Sequence, residues 1–207
     1  MIADEASEAT REQAAIDLYW IPLGSGAWVV RHCGRAFEAL TARVQHRVPC
    51  DLYHSALVVT VDGVRTVIEM TPVPDRRGDE RGTVVHGAVG LRWAGRLRLF
   101  RYEVRRWRHG VLPDEAAAAG GPVPLTSDAA AARRLLALVP SVPGPVWGRD
   151  ELGAGEMWNS NSVTSFLLAR TGLDADAVAL PAGGRAPGWD AGRIVAALAP
   201  HPAIRVG

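Results

Sequence analysis

Two mostly apolar, β-branched runs, "LYHSALVVTV" and "VRTVIEM", lie either side of Asp62-Gly63. Such runs predict strands, and Asp-Gly is a favoured dipeptide for a tight hairpin turn. "DLYWIPLG" at 17–24 predicts an earlier strand closed by a Gly-Ser-Gly turn. "GRLRLFRYEVRRW" alternates Arg with apolar residues, the pattern of a long half-buried strand, and slips at Leu99-Phe100, where a bulge is expected. Helical spacing is found at 4–15, around Phe37, Leu40 and Val44, in "TSDAAAARRLLALVP" up to Pro140, after "NSNS", and at about 189–198. "TPVPDRRGDERGT" reads as a solvated loop, "PDEAAAAGGPVPL" as a connector and "LPAGGRAPGW" as a Gly/Pro-rich loop. This order predicts an α+β fold, an antiparallel sheet packed against helices, with a helical segment over 1–16 and a single domain over 17–207.

Composition narrows the class. A 48% apolar and 22% charged chain of 207 residues is that of an ordinary globule. The formal charge of +1 offers no reason to expect nucleic acid or an anionic membrane as partner. Every strongly basic residue is Arg. No apolar run reaches the roughly 18 residues of a membrane helix, and "MIADEASEATREQAA" is polar where a signal peptide is basic and then apolar. A cytoplasmic protein is expected, and Cys33 and Cys50 fit a reducing compartment.

The candidate chemistry gathers at "EMWNSNSVTSFLLARTG", Glu156 to Gly172. If a helix begins near Asn161, Ser162 stands among outward-pointing amides at the positive end of the helix dipole. An oxygen there can be a nucleophile beside donors able to hold an oxyanion. It can equally be a cap, since Asn and Ser are preferred at helix starts. His54, at the start of an apolar strand, is suited to act as general base or to be a core histidine with one satisfied hydrogen bond. Glu69, on the strand returning from the hairpin, could orient His54 or face solvent.

Other signals lead nowhere specific. His32-Cys33 and Cys50 lack the spacing of a metal site, so no metal or organic cofactor is expected. The Arg-aromatic mixture at 95–110 is explained by strand alternation as well as by nucleic-acid binding. "GSG" and "GGRAPG" match no phosphate-binding fingerprint.

An early "YHSALVV" strand followed by "NSNSVTSFLL" opening a helix resembles the circularly permuted papain-like superfamily: NlpC-type peptidases, lecithin:retinol acyltransferase-like proteins and the PPPDE group. The chain is also similar to a group of bacterial proteins that share "WNSNS…LL" and "PAGGRAPGW". The superfamily resemblance covers roughly residues 17 to 172. It implies a permuted papain-like fold in which His54 matches the family histidine, Asn161-Ser162 the Asn-Cys pair, and Phe166 the aromatic one turn later. Glu69 would then match the polar residue on the following strand. The departure is Ser162 where the family has Cys: a hydroxyl must lose its proton to the base as it attacks, whereas a thiol ionises readily.

Two functions follow from the resemblance. One is a hydrolase or acyltransferase acting on a small peptide, amide or ester through a Ser162–His54 dyad and an acyl-enzyme. Glu69 would orient His54, with Asn161, Asn159 and Trp158 supporting the oxyanion. The other is an inactive domain that binds a peptide or acyl group in the same cleft. In both, Gly183, Gly184 and Trp189 of "LPAGGRAPGW" are expected at the cleft rim.

Overall fold

Asp62 and Gly63 both take positive φ, 51° and 73°, the geometry of a two-residue hairpin loop whose twist matches its strands. In this computed structural model, which describes residues 13–23, 43, 46, 48–73 and 79–199, the turn joins β2 (Asp51–Val61) to β3 (Val64–Pro72). Antiparallel to β2 on its other side runs β1 (Ala14–Pro22), which pairs Trp20 with Ser55 and Ile21 with His54. With β4 (Thr83–Ala88), β5 (Arg101–Arg108) and β6 (Pro122–Thr126), the order across the antiparallel sheet is β4-β5-β3-β2-β1-β6. The two-residue β7 (Gly184–Arg185) pairs in parallel with the start of β2. Three helices are described in full: α1 (Ala129–Leu138), α2 (Ser160–Thr171) and α3 (Trp189–Leu198). The class is α+β, as expected.

Several boundaries differ from the sequence reading, each for a reason of pairing. Ala14 and Ala15, expected at the end of a helix, are buried in β1 opposite Val61 and Thr60, so the segment boundary expected at residue 16 falls inside a strand. Of "GRLRLFRYEVRRW", only the part from Arg101 is strand. The neighbours of β5 end their pairing at Pro72–Tyr102 and Ala88–Arg101, so residues 92–100 have no ladder to join and form two 3-10 turns. The break at Leu99-Phe100 is the start of the strand, not a bulge within it. β4 and β6 were not anticipated. Pro122 and Pro124 are tolerated in β6 because it lies at a sheet edge. Arg81, assigned to a solvated loop, is buried. Residues 4–12 of the helix expected at 4–15, the helix expected around Phe37, Leu40 and Val44, the turn at 24–26, and His32-Cys33 lie outside the described residues.

Successive side chains of a strand point to opposite faces, and both faces of this sheet are covered. Leu18 and Trp20 of β1, Leu57 and Val59 of β2, and Ile68 and Met70 of β3 face the helices. There they meet Leu135 of α1, Phe166 and Leu167 of α2 and Val195 of α3. Tyr19, Ile21, Ala56, Val58 and Val67 face the other way and pack with Leu112. This second face also carries two buried ion pairs, Arg105–Glu69 and Arg81–Glu103, each at 2.8 Å. α2 is buried on nearly every residue from Ser160 to Leu168 because the sheet lies on one side and α3 on another. No helix among the described residues is long and apolar enough to cross a membrane.

Candidate functional site

α2 starts with a reciprocal cap. Asn159 is the N-cap, and its Oδ1 accepts from the amides of Asn161 (2.9 Å) and Ser162 (3.4 Å). Ser162 returns the bond: its Oγ accepts from the Asn159 amide at 3.0 Å. This is a capping box with Ser in the third helical position, and such caps contribute about 1 kcal/mol. The first-turn amides suited to an oxyanion are therefore already engaged by Asn159. The helix starts within a residue of the expected position.

The same side chains read the backbone of the strap entering α3. Ser162 Oγ donates to the carbonyl of Gly188 at 2.7 Å. Asn159 Nδ2 and Asn161 Nδ2 both donate to the carbonyl of Pro187, at 2.8 and 2.9 Å. Asn161 Nδ2 also donates to the carbonyl of Tyr53 on β2 at 2.9 Å. One turn further on, Ser165 Oγ donates to the carbonyl of Trp189 at 2.6 Å. From the other side, Glu156 accepts the Gly188 amide at 2.9 Å. Burial raises the Glu156 pKa, with this hydrogen bond acting against the shift. Three consecutive strap carbonyls are thus held by side chains from "NSNSVTS".

Gly188 is required at this contact. It has φ of +84°, and a Cβ there would lie 2.6 Å from Asn159 Oδ1 and 2.7 Å from Ser162 Oγ. Gly184 is equally confined, since a Cβ would overlap the ring of Tyr53. Gly183 supplies a positive φ of 71° just before it. Trp189 anchors the strap end: its ring lies 5.1 Å from that of Trp20, and its indole N–H donates to the Ala175 carbonyl at 3.1 Å. The strap therefore lies on Ser162 itself, inside the place expected for a cleft and not at its rim. Ser162 has no exposed surface.

The expected dyad is not brought together. Tyr53 belongs to the core on the helix face and Ser55 shares that side by alternation. His54, between them and opposite Ile21, points to the other face of the sheet. Ser162 stands on α2, on the helix face. Glu69 shares the face of His54, but its carboxylate is paired with Arg105 at 2.8 Å. Burial raises the Glu69 pKa even against the lowering effect of Arg105. Trp158 is buried edge-on against Phe166, with ring centroids 6.2 Å apart. Its indole nitrogen, Asn161 Oδ1 and Ser55 Oγ are buried without a hydrogen-bond partner.

Sequence reasoning missed Glu156, Ser165, Pro187 and Gly188 as members of this cluster. The Ser162–Ser165 spacing, which puts two hydroxyls on one helix face, was the available signal.

His54 is half-buried, and desolvation lowers its pKa from 6.5 to about 4. Between those values the unfolded chain holds a proton that the fold does not, so stability rises with pH through the window and is lost on acidification. The shift corresponds to about 3 kcal/mol between roughly pH 6.5 and pH 4. Glu69 and Glu156, with raised pKa values, act in the opposite direction. The comparison must therefore be made between variants. In urea unfolding, His54→Gln should lose about 2–3 kcal/mol less than the parent chain on going from neutral to acid pH. Equal losses in both proteins would show that His54 is not held uncharged.

No protein-family model, no curated protein and no solved structure matches the chain.

Proposed function

We propose that this chain is a binding domain of permuted papain-like type that does no acyl-transfer chemistry, its cleft being filled by its own residues 187–189. The observation that carries this reading is the Ser162 hydroxyl. It is fully buried, donates to the Gly188 carbonyl and accepts from the Asn159 amide. A nucleophile needs a base to take its proton and open space for a carbonyl carbon. Here the proton goes to a backbone oxygen, and the strap occupies the space. The helix start reads three successive carbonyls of the turn that opens α3, so the groups that would hold a peptide are occupied by the chain itself.

The hydrolase reading asks for more. The strap would have to leave, and a base would have to reach Ser162 from the helix face, where β2 presents Tyr53 and Ser55. A fluorophosphonate probe read by intact mass distinguishes the two. The binding reading expects no adduct on the native chain. It also expects Ser162→Cys, in a background with Cys33 and Cys50 changed to Ala, to resist iodoacetamide until the protein is unfolded. An adduct at Ser162 that disappears with His54→Ala would overturn it.

A further inference from the structure

The segment from Leu91 to Arg101 is built unlike the rest of the surface. Its two 3-10 turns are firmly set. The Gly90 amide donates to the Trp147 carbonyl at 2.9 Å, and Leu97 and Phe100 donate to Ala94 and Leu97 at 2.9 and 3.0 Å. Ala94 is buried beneath them, and Gly95 packs so closely on Ala88 that a Cβ would lie 2.8 Å from the Ala88 methyl. Yet the large apolar side chains point outward. Leu99 is 83% exposed, Trp93 67% and Leu97 58%, with Leu91 and Phe100 also exposed. A hydrogen-bonded backbone presenting five exposed apolar side chains within ten residues marks a surface made to be covered.

The charge beside this patch says by what. Residues 91–101 contain four arginines and no acid. Arg92, Arg96 and Arg101, with His86, line an open pocket of about 380 Å³. Arg92 is paired with Glu151, at 2.8 and 3.0 Å, which matches its charge and leaves the excess with Arg96 and Arg101; Arg101 is oriented by the carbonyl of Gly95. The whole-chain charge of +1 conceals this local excess. Trp and Leu set among Arg match the border of a bilayer, where aromatic rings sit at headgroup level, aliphatic tips reach the acyl region and guanidinium groups meet phosphate. Exposed Leu side chains have no counterpart in a single-stranded nucleic acid, whose binders present aromatic platforms for stacked bases.

We propose that the 91–101 promontory seats the protein on an anionic lipid surface, with Trp93, Leu97 and Leu99 entering the interface and the Arg pocket taking a lipid phosphate. This goes beyond the binding role proposed above and does not depend on it. The test is flotation of the 207-residue chain with vesicles of phosphatidylcholine alone and of phosphatidylcholine with an equal part of phosphatidylglycerol. Binding is expected to the anionic vesicles, to weaken with salt, and to be absent from the neutral ones. Arg96→Gln should lower the partition coefficient roughly fivefold, and Trp93→Ser with Leu99→Ser roughly tenfold or more. These positions are exposed, so unchanged thermal unfolding checks that the variants fold. Leu198→Ser, on an exposed position of α3, should bind as the parent does. Equal binding to both vesicle types, or binding indifferent to these residues, overturns the proposal. So does a concentration-dependent dimer, or binding to single-stranded DNA, that the same substitutions abolish in the absence of lipid binding.

Discussion

Arg81→Met is expected to cost about 3–5 kcal/mol of folding stability, the usual penalty for leaving a buried charge without its partner. Glu103 is fully buried on β5. It accepts from Arg81 Nε at 2.8 Å and Nη2 at 3.4 Å, and from Thr83 Oγ1 at 3.1 Å. Removing the guanidinium strips its counter-charge and most of its donors. The carboxylate is then left in the core with Thr83 as its remaining described donor. Changing both partners, Arg81→Met with Glu103→Met, should restore most of the loss, because an apolar pair needs no compensation. Urea unfolding of the parent chain and of these two variants measures both effects. A double variant no more stable than Arg81→Met would mean that the cost lies in packing and not in charge.

Gly192→Ala should be the next most damaging change, at roughly 2–3 kcal/mol or more. In an ordinary helix interior the same substitution is favourable by about 1 kcal/mol. Here α3 crosses α2 with Gly192 at the contact, and a methyl would overlap the Ser162 carbonyl oxygen and Ser165 Oγ and lie 2.8 Å from the Phe166 amide nitrogen. Two of these three atoms are backbone of a buried helix and cannot step aside. The midpoint in urea should fall with an unchanged m-value, since the same surface unfolds. Adding Ser165→Ala should recover little, because the carbonyl clash remains. A neutral or stabilising Gly192→Ala would mean that the helices can separate at no cost.

What could be read from sequence was local. The Asp62-Gly63 turn, the helix within "TSDAAAARRLLALVP" and the start of α2 depend on a few adjacent residues, and all were legible. The starts of β5 and β6 depend on where partner strands end, which no window of ten residues contains. His54 illustrates a subtler loss. A strand covered on one face advertises that face by alternation, but Ala56, Leu57, Val58 and Val59 are all buried. A strand apolar on both sides carries no mark of which side a later helix will choose. Hence the strand of His54 and the helix of Ser162 were each legible, while the placement of the two side chains on opposite faces was not. The meeting of "WNSNS" with "PAGGRAPGW" was invisible for the same reason, although Gly188 and the paired serines are what the contact needs.

The hold of Asn159, Asn161 and Ser162 on the strap bears on how freely the chain between them can change. Ser162 and Gly188 are 26 residues apart in sequence, and their register is set by side chains gripping particular carbonyls, not by the length of the intervening loop. The entropy of closing a loop grows only with the logarithm of its length, so doubling this one would cost about 0.6 kcal/mol. Leu180 to Gly183, mostly exposed ahead of β7, is therefore where the chain can accept insertions while the strap still finds its seat.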